Sequence, residues 1–200
     1  ECVTYSFIDP EANTKFTGVE SELVLSNPIS SELSVMRASL WPGLVAAAAA
    51  NLARQRDRIR FFEASRSYHG TLQEHHEVVR IAGLATGPVS PEHWVSKPHT
   101  PDFFDIQADV EALLALAGDD ASFSFAAAEH PALQPGQAAE VMRNGDVIGV
   151  VGKLHPRLAK EYDIKKALYL FELDAEKSLA SAAPCARRPP DGPSPWIEIP

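Results

Sequence analysis

The strongest constraint on the fold of this chain is the dipeptide Asn144-Gly145, which separates two strand-like segments. Both residues tolerate positive φ, which a two-residue hairpin turn needs at its two central positions. The segments on either side are therefore predicted to be neighbouring antiparallel strands. Four strand-like segments follow one another in this half of the chain: Phe123 to Ala127, Ala138 to Arg143, Val147 to Lys153 and Leu168 to Leu173.

A long helix is predicted earlier in the chain, with Pro42 in its first turn or at a kink. Its apolar residues recur at helical spacing: Leu40, Leu44, Ala47, Ala48 and Leu52. The segment from Asn27 to Ser34 is interpreted as a structured approach to this helix, and Ile59 to Ala64 as the strand after it. The small apolar face of the helix is typical of a helix buried against a sheet or a partner subunit.

The other segments complete a pattern of helices early and strands late. Cys2 to Ile8 is predicted to be extended and to end in a turn at Asp9-Pro10, and Leu23 to Leu25 to be a short second strand. Val78 to Ala85 is the clearest strand, and Pro101 to Leu116 an amphipathic helix ended by Gly118. This order predicts an α+β fold, an antiparallel β-sheet flanked by helices.

One domain is expected over residues 1–180, since 45% hydrophobic content provides a sizeable core. Residues 181–200 contain many prolines and are interpreted as a linker or tail.

The net charge of −9 argues against a surface built mainly for nucleic acid, and the dense basic run from Arg54 to Arg60 is explained equally well as a solvated helix end. Cys2 and Cys185 provide no disulfide framework, which favours a reducing compartment. No membrane span is predicted. We read the chain, which opens at Glu1, as an excised domain.

Several short motifs occur in a fixed order along the chain, including Asn27-Pro28-Ile29-Ser30, Met36-Arg37-Ala38-Ser39-Leu40, Arg60-Phe61-Phe62-Glu63, His130-Pro131-Ala132-Leu133-Gln134-Pro135-Gly136-Gln137 and Gly152-Lys153-Leu154-His155-Pro156. In these motifs the chain resembles the beta subunit of bacterial phenylalanyl-tRNA synthetase, in the module that is like a class II synthetase catalytic domain without the catalysis. The resemblance extends over nearly the whole chain but does not include the tail.

The resemblance implies a class II synthetase-like fold that packs against the alpha subunit of a cytoplasmic heterotetramer. ATP and magnesium are expected for that holoenzyme and no cofactor for this domain, while tRNA binds through the holoenzyme and weakly or not at all to the domain alone. The region used for subunit contact corresponds here to Pro28, Met36, Arg37, Leu40, Trp41 and Leu44. The alternative is that these residues only pack the core of the domain.

No catalytic, cofactor-binding or metal-binding residue is predicted. Active class II enzymes place an Arg two positions before the Glu of their second motif, and here that position is Phe61; Arg60 should point to the opposite face from Glu63. His75 and His76 are interpreted as part of a solvated loop, and His130 and His155 lie beside prolines in turns, where histidine more often caps backbone groups than catalyses.

Two other functions stay open at this stage. The chain could be a self-standing ligase or an editing hydrolase, although the resemblance implies that editing belongs to an upstream region. It could also contact tRNA directly through Arg54, Arg56, Arg58 and Arg60.

Overall fold

The computed structural model describes residues 1–89, 99, 101–116 and 123–179. Within these ranges the elements are, in chain order, β1 (Phe7–Ile8), α1 (Pro10–Thr17), β2 (Val35–Met36), α2 (Trp41–Ala53), β3 (Ile59–Gly70), β4 (His75–Thr86), α3 (Phe103–Ala115), β5 (Phe123–Ala127), β6 (Leu133–Arg143), β7 (Asp146–Leu154), α4 (Pro156–Glu161), β8 (Leu168–Asp174) and α5 (Ala175–Leu179). The segment 181–200 and most of the predicted loop from Thr86 to Thr100 lie outside the described residues, as does Gly118.

The larger sheet of the described chain has six strands in the order β3-β4-β8-β7-β6-β5, and every neighbouring pair is antiparallel. A small sheet pairs β1 with β2. This arrangement confirms the predicted α+β fold. The hairpin between β6 and β7 turns at Asn144 and Gly145, whose φ angles of 52° and 91° are the left-handed values that the dipeptide predicted.

Alternate residues of β8 divide the core into two parts. Leu168 and Leu170 pack under α2, in a cluster with Leu44, Ala48 and other buried residues. Tyr169, Phe171 and Leu173 point to the opposite face and pack with Ile106, Val110 and Leu114 of α3. Helix α2 therefore lies on one face of the sheet, together with Phe16 of α1 and Leu158 of α4, and α3 lies on the other face. The period of two along β8 determines which side chain faces which helix.

Helix α2 begins at Trp41 with Pro42 in its first turn, as predicted. The helix buries Leu44, Val45 and Ala48 against the sheet and leaves Ala46 and Ala50 exposed on its outer face. Helix α3 begins with a capping box, in which the side chain of Asp102 accepts from the amides of Phe104 and Asp105 and the Asp105 carboxylate accepts from the amide of Asp102.

Some predictions near the N-terminus are wrong. Asp9-Pro10 does not end a strand in a simple turn but starts α1, because the Asp9 side chain caps the amide of Glu11 and Pro10 fits the first helical turn. Only Phe7 and Ile8 of the predicted first strand are paired, and the predicted second strand contributes a single bridge between Val24 and Val35. Neither α4 nor α5 was predicted. None of the helices in the described ranges combines the length and apolar character that a membrane crossing needs.

Candidate functional site

The six residues predicted for subunit contact have different environments in the structure. The side chains of Arg37, Leu40, Trp41 and Leu44 are at most 1% exposed. Pro28 is exposed and Met36 is half-buried. The chain itself covers those four side chains, so the alternative interpretation, packing of the domain's own core, describes them in this structure. Contact with a partner through Pro28 and Met36 stays a prediction.

Arg37 forms a buried ion pair with Glu63 of β3, with 3.0 Å between Nη1 and Oε1. The second carboxylate oxygen of Glu63 accepts from the hydroxyl of Thr4 at 2.8 Å. Arg37 also donates to the Ser65 hydroxyl at 2.7 Å and to the Arg66 carbonyl at 3.1 Å. This network ties the N-terminal segment and the turn before α2 to the edge of the sheet. It accounts for both charges within the chain, because each is paired and hydrogen-bonded.

Arg60 points away from Glu63, as strand alternation predicted, and lies on the α3 side of the sheet. Its guanidinium forms an ion pair with Asp109 of α3 at 2.6 Å between Nη1 and Oδ2. The two charged residues of the segment that resembles the second synthetase motif, Arg60 and Glu63, therefore lie on opposite faces of β3. Glu63 faces the α2 side and is bound by Arg37, while Arg60 faces the other side and is bound by Asp109.

Glu172 of β8 anchors the start of α2. Its carboxylate accepts from the Leu40 amide at 2.8 Å and from the Ser39 hydroxyl at 2.9 Å. The indole N–H of Trp41 donates to the carbonyl of Phe171 at 3.0 Å. Burial raises the pKa of Glu172, against the opposing effect of the bonds from Leu40 and Ser39. The Ser39 hydroxyl in turn accepts from the Trp41 amide at 3.1 Å. A carboxylate from the sheet and a local hydroxyl therefore both provide acceptors at the start of the helix, where the first amides have no partner within the helix.

The register of the sheet places three carboxylates on one row beneath this helix start. Glu63 pairs with Ala82, Ala82 with Glu172, Glu172 with Val150, and Val150 with Glu140. Beyond this row, towards the β3–β4 hairpin, the same face opens into a cavity of about 670 Å³. The charged residues that line the cavity are Glu20, Glu22, Glu129, Glu140, Glu172, Asp174, Arg80 and Lys177. Acidic groups predominate there.

Two histidines line the cavity. His130 accepts from the Ala132 amide through Nδ1 at 3.2 Å and meets the Trp41 ring edge-on, with 5.1 Å between the ring centres. Burial lowers the pKa of His130. Burial also lowers the pKa of His69, with smaller contributions from the charges of Arg80 and His76. Both rings are therefore shifted toward the neutral form.

The backbone-capping interpretation of the turn histidines is confirmed. His130 caps the turn that leads into β6, and His155 caps α4 by accepting from the Arg157 amide at 3.1 Å. Nδ1 of each ring therefore already accepts a hydrogen bond from a backbone amide.

The interpretation of His75 and His76 as loop residues is wrong, since both begin β4. His76 stacks on His69 of the paired strand with 5.5 Å between the ring centres. Over the ranges that the structure describes, no three His, Cys, Asp or Glu side chains are grouped in a way that could hold a metal ion.

Sequence reasoning missed the structural use of Glu63 and Glu172. The alternation along β3 gave a signal, because Glu63 shares a face with Phe61, which packs against the core. An ionised residue on a core-facing position needs a buried partner. Nothing in the sequence identified that partner as Arg37 or linked Glu172 to the start of α2, 132 residues away.

The fold is that of a class II synthetase core. The chain superposes on two solved structures of pyrrolysyl-tRNA synthetase from Desulfitobacterium hafniense with TM-scores of 0.64 and 0.63, each over 89% of this chain and 60% or 61% of the other, at 19% and 18% identity. At that identity the likeness shows the fold alone.

The sequence comparisons identify the family. Residues 1–175 match the family described as the phenylalanyl tRNA synthetase beta chain CLM domain. The chain is 47% identical over 173 residues to the phenylalanine–tRNA ligase beta subunit of Pseudomonas putida and 45% identical over 177 residues to that of Nitrosococcus oceani. It belongs to the phenylalanyl-tRNA synthetase beta chain family. These alignments include 86% and 88% of this chain and 22% of each relative, so the chain spans about a fifth of their length.

Proposed function

We propose that this chain is the non-catalytic synthetase-like module of a phenylalanine–tRNA ligase beta subunit, and that it packs against the alpha subunit to support aminoacylation of tRNA. The observation that carries the proposal is a group of exposed apolar side chains beside the start of α2. Exposed apolar groups that cluster in this way are typical of a surface that a partner covers.

This contact surface surrounds the small sheet of β1 and β2. Val3 and Tyr5 are 87% and 75% exposed, and Ile29, next to Pro28, is 87% exposed. Val3 and Tyr5 line a groove of about 360 Å³ that runs to Pro42 and Ala46 of α2. Of the predicted contacts, Met36 joins this surface through its pairing with Phe7. Pro28 and Ile29 come just before the turn Ser31–Leu33, of which Glu32 and Leu33 line the groove. We define the contact surface as Val3, Tyr5, Pro28, Ile29, Met36 and Ala46.

The buried polar residues support a structural role over a catalytic one. Glu63 and Arg60 are each held in an ion pair within the chain. The cavity on the sheet is lined by six carboxylates and two cations, so a nucleoside triphosphate would meet mostly like charge there. The predominantly acidic lining of this cavity therefore does not fit the triphosphate of ATP. We assign ATP and magnesium binding to the holoenzyme outside this chain.

The same proposal includes the remaining expectations of the family resemblance. The holoenzyme is a cytoplasmic heterotetramer, and tRNA engages it chiefly through other regions. A self-standing ligase or an editing hydrolase would need a nucleophile, a clamp for phosphate or a general base in the cavity. ATP–pyrophosphate exchange and deacylation assays on the chain test this alternative, and turnover in either assay would overturn the proposed function.

The assembly experiment uses the full-length beta subunit. Tyr5→Asp and Ile29→Asp place charge on the contact surface without disturbing a buried side chain, and we expect both to weaken association with the alpha subunit in size-exclusion chromatography with light scattering. Leu116→Asp is the matched control, because Leu116 is 77% exposed at the end of α3. Equal assembly of all variants would refute the contact surface.

A further inference from the structure

The ends of four neighbouring strands lie side by side and form one edge of the large sheet, which runs across the strands. Ile59 at the start of β3 pairs with Thr86 at the end of β4, and Thr86 pairs with Leu168 at the start of β8. Lys153 near the end of β7 pairs with Tyr169. Residues 54–58, which lead into β3, and residues 153–166, which connect β7 to β8, are therefore brought to the same edge, although about a hundred positions separate them in sequence.

Lys166 connects the two segments directly. Its ammonium lies 2.5 Å from the Asp57 carboxylate and donates to the Asp57 carbonyl at 3.3 Å. A groove of about 440 Å³ opens beside this contact, and its walls carry Lys153, Lys160, Lys165 and Lys166. We call the side chains of Arg54, Arg56, Arg58, Lys153, Lys160, Lys165 and Lys166 the basic edge.

The charge at this edge is opposite to that of the chain. Residues 54–58 and 153–166 contain eight Lys or Arg and three Asp or Glu, a formal charge of +5 in a chain whose net charge is −9. Two of the three acids are engaged, Asp57 with Lys166 and Glu161 with Lys15. Asp163 is 4.0 Å from Lys165.

Several cations of the edge have no acidic partner. Lys153 and Lys160 form no ion pair with another residue of the described ranges, and neither do Arg54 and Arg56. Arg58 donates to the carbonyls of Pro88 and Val89 and to no carboxylate. Arg60 is not part of the edge, because it is bound to Asp109 on the α3 side. Unpaired ammonium groups along a groove, with guanidinium groups on the neighbouring segment, are what a polyanion contacts.

We propose that the basic edge binds the phosphate backbone of an RNA. The inference rests on the proposed function for the identity of that RNA as a tRNA substrate, and it locates a contact that the net charge of the chain conceals. Long lysine side chains around an open groove hold phosphates through charge without reading bases, so the contact positions the RNA and does not select its sequence.

The test uses the complete ligase assembled from full-length alpha and beta subunits. The dissociation constant for tRNA is measured by filter binding between about 50 and 200 mM KCl, where electrostatic binding changes most. The variant Lys160→Gln/Lys165→Gln removes two exposed cations from the groove. The control Arg66→Gln/Lys177→Gln removes two cations that are each 62% exposed and lie away from the basic edge. Both variants change the net charge equally.

We expect the Lys160→Gln/Lys165→Gln enzyme to bind tRNA roughly tenfold more weakly at low salt and its logarithmic salt slope to fall by about two, one for each lost phosphate contact. The control should retain wild-type values. A second variant, Arg54→Gln/Arg56→Gln, should repeat the effect from the other segment. Equal weakening in the test and control variants would reduce the effect to net charge, and no change in either test variant would remove the contact; both results overturn the proposal.

Light scattering of each enzyme before the binding assay separates the two proposals. If Tyr5→Asp and Ile29→Asp assemble with the alpha subunit as well as the wild type does, the contact surface of the proposed function fails. If the basic-edge variants assemble with the alpha subunit and bind tRNA with wild-type affinity, only the RNA contact fails.

Discussion

The carboxylate of Glu172 on β8 accepts the backbone N–H of Leu40 at 2.8 Å and so fixes the start of α2 to the centre of the sheet. The same carboxylate accepts from the Ser39 hydroxyl. Because the side chain of Leu40 cannot accept a hydrogen bond, the start of α2 depends on this buried acid and on the Ser39 hydroxyl, which accepts from the Trp41 amide at 3.1 Å.

Glu172→Leu should destabilise the chain by about 1–3 kcal/mol, because the Leu40 amide and the Ser39 hydroxyl would be left buried without their acceptor. Urea unfolding followed by circular dichroism measures the change. An unfolding midpoint equal to the wild type would contradict a capping role for Glu172.

The pH dependence of stability gives a separate test of Glu172. Burial raises its folded-state pKa above the ordinary value of 4.5, so the folded chain holds this proton more tightly than the unfolded chain does. The stabilisation that comes from this proton is complete below pH 4.5 and is lost as the pH rises through the folded-state pKa. Glu172→Gln cannot lose a proton, and its unfolding free energy should not show that loss. Parallel profiles for wild type and Glu172→Gln would refute the shift.

Arg37→Met should destabilise the chain by roughly 3–5 kcal/mol, because Glu63 would keep a buried charge without its partner. The double variant Arg37→Met/Glu63→Leu should recover part of this loss. A double-mutant cycle in urea measures the coupling between the two residues. The surface pair of Arg66 and Glu77 is the control, and its cycle should give a much smaller coupling. Additive effects of Arg37→Met and Glu63→Leu would show that the buried pair is not coupled.

Gly43→Ala should destabilise the chain although alanine favours helices by about 1 kcal/mol over glycine. A Cβ at position 43 would lie 2.5 Å from the hydroxyl oxygen and 2.7 Å from the Cβ of Thr4. The added methyl group would displace Thr4 from the Glu63 carboxylate. The Thr4→Gly background removes the obstacle and should turn the substitution from destabilising to stabilising. Thermal unfolding of the wild type, Gly43→Ala, Thr4→Gly and the double variant shows whether helix propensity or the contact with Thr4 determines the effect of the substitution.

His130 should make the chain sensitive to mild acid. Its lowered pKa means that the unfolded chain takes up a proton at this ring more readily than the folded chain does. The stability that this ring contributes is present above pH 6.5 and is lost as the pH falls toward the folded-state pKa. His130→Gln should remove that part of the acid slope in urea titrations. A wild-type slope in the variant would assign the acid sensitivity to other groups.

Local pattern was sufficient for much of the fold. The Asn144-Gly145 turn predicted that β6 and β7 are neighbouring antiparallel strands, and the position of Pro42 predicted the first turn of α2 or a kink, because both depend on backbone conformations that few residues favour. The opposite faces of Arg60 and Glu63 followed from strand alternation alone.

Polar contacts between residues far apart in sequence could not be predicted from local sequence patterns. Arg37 was predicted as a contact for a partner because it lies in the region that corresponds to the subunit-contact motif of the family it resembles. In the structure its guanidinium is bound by Glu63, 26 residues away, and by Thr4. Helix α1 was missed because Asp9-Pro10 favours both a turn and a helix start. In the structure Phe16 of this helix packs against Tyr162, which is distant in sequence. The basic edge likewise exists only after β3 and β8 have paired with β4 from its two sides, because that pairing places the starts of both strands level with the end of β4.

The first residues of the chain have a protective consequence for β3. This strand ends the large sheet, and an uncovered terminal strand invites pairing with another molecule. The Cys2 amide donates to the Phe62 carbonyl, the Tyr68 amide donates to the Arg37 carbonyl, and the Arg37 side chain donates to the Arg66 carbonyl. Three points along the outer side of β3 are therefore already occupied. Removal of residues 1–5 would uncover this outer side of β3 at Phe62, whereas the two contacts made by Arg37 would continue to occupy it at Arg66 and Tyr68.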